Sequence, residues 1–315
     1  MTTASTSEYT LRAARDEDAP AITDLFNQLG RALYGVDVMS LDEVTKWFTS
    51  PKSDPGRDFR LAELPDGTLA GFGSVADVAN DHDILWLRVT LHPELGTEAM
   101  GEELMSFADA RARDLGVAGH SLVHASCSSK DAGVIALYER YGYKLVRHFF
   151  RMETDLTEPP PPAVWPEGVE LRALDLERDL EAVYAADEEA FEDHWGFFRI
   201  DFATWKHWMT GGNFDPTLWL IAYDGDDIAG FSLNFPDEGG DTDLGWVGVL
   251  GVRRPWRRRG IALALLLESF AEFRRRGKKR AGLGVDAENT TGAVRLYEKA
   301  GMAPVRRFDT FEKAL

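Results

Sequence analysis

Five arginines crowd into "VRRPWRRRGIALALL" (residues 252–266), directly ahead of a glycine and an apolar run. A guanidinium is a planar fork of donors that matches the oxygens of a phosphate or carboxylate. If a helix opens at Gly260, its first amides are unpaired and its mouth carries partial positive charge. A glycine there lets an anion approach those amides closely. Arginines at a helix start oppose the dipole unless an anion sits among them, so the stretch predicts a polyphosphate grip. The second basic run, "FRRRGKKR" (273–280), has the opposite sense. It reads as a helix C-terminus, with Gly277 as terminator and its cations offsetting the dipole.

The elements that position the grip follow from the same stretch. A strand ends at Val252, an Arg-rich turn follows, and an apolar helix begins near Gly260. The whole arrangement belongs to the second of two similar halves. "LYERYGY" (137–143) matches "LYEKAGM" (296–302) at an offset of 159, and "AGF" recurs at 70–72 and 229–231 at the same offset. "TLRAARDED" (10–18) resembles "ELRALDLER" (170–178) at an offset of 160. A period of this length is a duplicated domain, not a solenoid repeat. Each half predicts a short strand, acid-rich helical sequence, and two strands turned at Asp-Gly. A central strand, a long apolar helix, a strand, a helix and a last strand complete it. This is an α+β (mixed α/β) fold of two tandem domains, each a mostly antiparallel sheet flanked by helices. The expected boundaries are 8–156, a Pro-rich linker "TEPPPPAVWPEG" at 157–168, and 169–315.

The spacing Arg257-x-x-Gly260-x-Ala262 after a strand resembles the acetyl-CoA signature of the GNAT acetyltransferase superfamily. "VDAENTTGAVRLYEKAGM" (285–302) is similar to its downstream element, an Asn-bearing loop before a helix with Leu-Tyr. The two elements span Leu244–Met302, and the family outline covers each half. The resemblance implies acetyl-CoA as cosubstrate, with no metal. Backbone groups of Leu250, Gly251 and Val252 would run beside the pantetheine arm. Arg257, Arg258, Arg259, Gly260, Ile261 and Ala262 would enclose the pyrophosphate, and Asn289 would contact the arm. Tyr297 would sit near the thioester sulfur. Many members space the Asn and Tyr one residue closer than here. The first half reads "VTLHPELGTEAMGEELM" where the second has the grip, with Glu98 aligned to Gly260. It is expected to be a catalytically degenerate copy.

The reaction so implied is direct attack of an amine on the thioester. An amine with a pKa near 10.4 lies about 3.4 units above neutrality, a cost of roughly 4.6 kcal/mol before attack. A general base must take that proton. Candidates are Asp193, His194 and Glu192 in "AFEDHWGFF", and Asp237, Glu238, Asp241 and Asp243 before the central strand. The backbone N–H of Leu250 would polarise the carbonyl, and Tyr297 would serve the departing thiolate. The acceptor is expected to be a small-molecule or peptide amine. Mycothiol synthase, a tandem member of similar layout, is an alternative within the enzyme reading. A non-catalytic CoA-binding sensor or scaffold is the alternative outside it.

Composition bounds the rest. The chain has 315 residues and a formal charge of -18, yet residues 253–280 carry +9, leaving -27 on the remainder. Such a field disfavours nucleic acid and anionic membrane and favours a cationic acceptor. Forty-four per cent hydrophobic and 28% charged residues is a soluble globular profile. No apolar run reaches the ~20 residues of a membrane span. The first twenty residues lack a basic and then apolar leader pattern. One cysteine, Cys127, precludes an internal disulfide and fits a reducing cytoplasm.

Overall fold

The structure is a computed structural model in which residues 8–79, 81–289 and 291–315 are described. Residues 1–7, where the stretch read for a leader begins, lie outside them. Contacts divide the chain into two compact units, residues 1–146 with 309–315 and residues 147–308. These differ from the boundaries read from the sequence. Residues 147–156, which precede the Pro-rich stretch, belong to the second unit, and residues 309–315, which follow it, belong to the first.

The first unit runs β1 (Thr10–Ala13), α1 (Ala19–Tyr34), α2 (Leu41–Thr49), α3 (Pro55–Asp58), β2 (Phe59–Glu63) and β3 (Leu69–Ala76). It continues with β4 (Ile84–Leu91), α4 (Glu98–Leu115), β5 (Leu122–Ser128), α5 (Ala132–Arg140) and the start of β6 (Lys144–Asp155). Local signals set the boundaries. Ser40 and Glu43 form a reciprocal capping box at α2. Gly67, at φ 88°, makes the turn between β2 and β3. Strands β1 to β4 pair antiparallel in sequence, and β4 pairs parallel with β5. The chain's last residues lie beside β5 and supply Phe311 to this unit's core. One face packs Leu85, Leu87 and Val89 against α4 and α5, while Phe72 on the other face meets α1 and α2.

The second unit takes β6 from Arg147, then β7 (Val169–Arg172), α6 (Leu176–Phe191), α7 (Phe202–Thr210), β8 (Leu220–Asp224) and β9 (Asp227–Phe235). There follow β10 (Leu244–Val252), α8 (Ile261–Arg275), β11 (Arg280–Asp286), α9 (Ala293–Lys299) and β12 (Ala303–Ala314), the last to Phe308. Strands β7 to β10 are antiparallel neighbours, β10 and β11 are parallel, and β11 pairs antiparallel with β6. The same plan occurs twice, mostly antiparallel with one parallel pair per unit. Residues 158–164 form neither helix nor strand. Trp165 then anchors that stretch, its indole donating to Glu268 Oε1 on α8 at 3.4 Å.

Val247, Leu283 and Met152 face α8 and Tyr297 of α9, forming one core layer of this unit. Val249 turns instead to the α6 and α7 cluster of Tyr184, Phe191 and Trp205. Residues 247 and 249 would share a face in a regular strand. They do not, because the β9–β10 register shifts between them.

Candidate functional site

That shift is a bulge at Gly248. A Cβ on Gly248 would lie 2.4 Å from the Phe235 ring and 3.2 Å from the Leu233 carbonyl, so glycine is required there. The parallel pairing of β10 with β11 runs from Leu244 only to Val247 opposite Leu283. Both strands continue beyond that pair, and the first residues past it, Gly248 and Gly284, are exposed in the midst of a sheet. The Arg253 N–H donates to the Ala229 carbonyl on β9. Alternation along β10 therefore turns the peptide groups of Val252 and Leu250 away from β9, toward the opening. An extended chain could add to this edge as a strand does.

The opening leads to the start of α8. Gly260 is its N-cap at φ 92°, with no side-chain cap, and Arg258 is left-handed at φ 65°. Space does not dictate glycine at 260, since a Cβ would meet nothing within 4 Å; the positive φ does. The first backbone bond of the helix runs from Ala264 N–H to the Gly260 carbonyl. The amides from Arg258 to Leu263 thus have no hydrogen-bond acceptor among the described residues. Six successive free N–H groups, with the helix dipole behind them, are a ready anion cradle.

The arginines behave differently from the expectation that they crowd this mouth unpaired. Arg253 bonds Glu189 at 2.6 Å, and Arg254 grips Asp193 at 2.7 and 3.2 Å. Arg257 donates to the carbonyls of Val252 (3.2 Å) and Ala190 (3.0 Å), with Asp193 at 3.7 Å. Arg259 bonds Asp224 at 3.0 Å. Arg258 is exposed and has no partner among the described residues. Glu189 on α6, Asp193 in the loop after it and Asp224 on β8 therefore balance most of the cluster. An external anion would meet the free amides and Arg258 here, not five uncompensated guanidiniums. Arg257 also occupies the Val252 carbonyl that was expected to face the pantetheine arm, leaving Leu250 as the free strand edge. Ile261 and Ala262 contribute their open amides, and Gly251 packs on Phe231, where a Cβ would be 2.3 Å from the ring.

The proton-handling candidates separate on electrostatics. Hydrogen bonds from Arg254 hold the exposed Asp193 carboxyl below its usual range, which makes it an anchor for arginines and a weak proton acceptor. Asp241 and Asp243 are likewise engaged, with Arg280 and with Lys279. His194 is half-buried, edge-on to Phe191 with 4.5 Å between ring centroids. Burial, then the charge of Arg257, pushes its pKa below 6.5, against opposing pulls from Asp286 and Asp193. Its loop folds back over the end of β11. Arg147 lies over the Trp195 ring at 5.0 Å and reaches Glu288 at 2.8 Å and Asp286 at 3.5 Å. A neutral imidazole thus stands beside the end of the opened strand pair.

Tyr297 is buried, and burial raises its pKa to about 12. Its hydroxyl bonds no described residue. Asn289 sits in a turn of its own, its Oδ1 accepting from the Thr291 N–H at 2.8 Å. Its amide nitrogen is the part left for a ligand. Two further residues escaped sequence reasoning. Gly248 was signalled by three glycines in one central strand, "LGWVGVLGV". Asp187 on α6 gave no such signal. Burial lifts its pKa to about 6 despite a 2.7 Å hydrogen bond from the Trp205 indole.

The first unit closes every one of these openings. Its β3–β4 register has no shift, and the Val89 N–H donates to the Tyr138 hydroxyl at 3.2 Å. At α4, Thr97 is the N-cap and its side chain accepts from Met100 N–H. His92 Nδ1 accepts from the amides of Glu94 and Leu95 at 3.2 and 3.1 Å. The helix registers also revise one alignment. Leu104 packs against Gly71, and Leu265 against Gly230, which sets Ala99 rather than Glu98 opposite Gly260.

Comparison with known proteins gives this geometry a context. Residues 180–302 match the Acetyltransferase (GNAT) family. The chain is 30% identical over 305 residues to the mycothiol acetyltransferase of Salinispora arenicola, covering 95% of this chain and 96% of that protein. A GCN5-related N-acetyltransferase from Sphaerobacter thermophilus superposes with a TM-score of 0.76 at 33% identity, over 97% of this chain and 95% of that one. A tandem GNAT protein from the clavulanic acid biosynthesis pathway gives 0.73 at 15% identity, over 97% and 98%. The last similarity concerns the fold alone.

Proposed function

The chain belongs to the GNAT acetyltransferase family, and we propose that its second unit transfers acetyl from acetyl-CoA to the primary amine of the mycothiol precursor or a close relative of it. The observation that carries the cofactor half of this reading is the run of free amides from Arg258 to Leu263 at the end of the β10–β11 opening. The pyrophosphate rests on those amides, with Arg258 and the helix dipole opposing its charge. The pantetheine arm follows the Leu250 edge, and the amide of Asn289 meets it from the loop after β11. The thioester then lies at Gly248, where the bulge leaves room. The extended likeness to mycothiol acetyltransferase supports the acceptor, and the chain's acidity favours a cationic amine.

His194 takes the proton from the ammonium, since it is the neutral, partly buried group of that rim. The amine nitrogen forms its bond to the carbonyl carbon, the Leu250 N–H holds the oxyanion, and as the C–S bond breaks the nitrogen releases its second proton, which replaces the one Tyr297 gives up. Tyr297, protonated because burial lifts its pKa, hands its proton to the leaving thiolate. The products are an amide and CoA thiol. Calorimetry with acetyl-CoA tests the first half of the proposal. Thiol release over an amine panel that includes the mycothiol precursor tests the second. Tight acetyl-CoA binding without release from any amine would leave the sensor reading in its place.

A further inference from the structure

Arg88 stands in the first unit at the position Gly248 holds in the second. It is the first residue of β4 beyond the last parallel pair, Leu87 with Ala125. Its side chain lies on the α1 and α2 face, because its neighbours Leu87 and Val89 point into the opposite core. There the guanidinium carbon sits 5.1 Å from the Trp47 ring and 5.5 Å from the Phe26 ring. No carboxylate, carbonyl or hydroxyl among the described residues bonds it. Each of the arginines around the second unit's helix mouth except Arg258 has a protein partner, and Arg258 is exposed to water. Arg88 is partly buried, and burial depresses its pKa. A desolvated cation without counter-charge is costly, and aromatic faces recover only part of that cost.

Two further polar groups share the spot. Ser74 on β3 is directly opposite Arg88 across the pleat, and Thr90 is two residues along the same face. Neither hydroxyl has a partner among the described residues. An open guanidinium fork, with open hydroxyls at the two neighbouring positions of the same face, offers the donors one planar anion needs. We propose that the first unit binds a small molecule through a carboxylate group, held by Arg88 and flanked by Ser74 and Thr90. A phosphate dianion fits less well, since one cation would leave half its charge uncompensated in a partly buried site. A polyphosphate is disfavoured because the helix start that could hold it is capped by Thr97.

The probe is sodium acetate at constant ionic strength, read by tryptophan emission and by the melting temperature of the full chain. Saturable acetate binding is expected in the wild type and in Gly260→Glu, and at least tenfold weaker binding of inorganic phosphate. Arg88→Met is expected to abolish the acetate response while melting, without acetate, no lower than the wild type. Arg88→Lys keeps the charge over the rings but loses the fork, so its acetate affinity is expected to fall at least tenfold in a folded protein. No saturable response, an unchanged response in Arg88→Lys, or equal affinity for phosphate would overturn the site. So would a lowered melting temperature in Arg88→Met without acetate, which is the behaviour of a purely structural cation.

Discussion

At the scale of single residues, Gly260 combines two properties that mutation can separate. Its φ of 92° makes any L side chain there cost about 1–2 kcal/mol. An acidic residue near a helix start is otherwise favourable for the fold. Gly260→Ala is therefore expected to weaken acetyl-CoA binding only moderately, and Gly260→Glu by more than 100-fold, with melting temperatures close to each other. Calorimetry and thermal scans check both, and equal affinities in the two variants would remove the phosphate from this mouth. Tyr297 is the second such case. Its unpartnered hydroxyl serves no packing contact, so Tyr297→Phe is expected to keep acetyl-CoA affinity and lose roughly 10- to 100-fold in kcat. His194 gives a pH signature. Because burial and Arg257 lower its pKa from 6.5, it is mostly an acceptor at neutrality, and kcat/KM is expected to rise with pH along a limb centred below 6.5. His194→Gln is expected to flatten that limb; a limb centred well above 6.5 would belong to another group.

At the scale of elements, much of this site was legible and the remainder was not, for identifiable reasons. The turn at Gly67, the helix opening at Gly260 and the mostly antiparallel sheet follow from local chemistry and from the duplication, whereas the parallel pairs of β4 with β5 and β10 with β11 were not read. The partners of the arginines were not readable, since Glu189, Asp193 and Asp224 lie far from them in sequence and only packing brings them together. The same holds for α6, where nothing in "AADEEAF" marks Asp187 as the half-buried acid whose carboxyl is held up in pKa. Packing alone decides it. A carboxyl whose folded pKa is raised is most stabilising when protonated, and that stability is lost as pH rises through about 6. Asp187→Asn keeps an acceptor for the Trp205 indole and removes the titration. It is expected to be more stable than the wild type by roughly 1–3 kcal/mol at pH 8 and by about half as much at pH 5, as urea denaturation at the two pH values would show. A pH-independent difference would mean that Asp187 is charged throughout.

At the scale of the whole molecule, the duplication has diverged in one consistent direction. The second unit keeps a strand bulge, an open strand edge, an uncapped helix and a free tyrosine, while the first fills each counterpart with its own side chains. The sequence showed the loss of arginines in the first half but could not show this closure, which depends on hydrogen bonds such as Val89 to Tyr138. Nor could it show where each unit ends. The Pro-rich stretch looked like the border, yet the last seven residues belong with the first unit. There Phe311 is fully buried among Tyr138, Tyr143 and the α4 side chains, and Thr310 bonds Ser126 at 2.7 Å. Burying an aromatic ring and then truncating it costs about 3–5 kcal/mol. Phe311→Ala is thus expected to destabilise β4, β5 and α5 by that amount. Amide exchange should quicken throughout the first unit and stay slow in β9 and β10. Uniform acceleration across both units would mean that they unfold as one. Slow exchange in β5 despite the mutation would mean that the tail is dispensable, and the first unit would then be complete without residues 309–315.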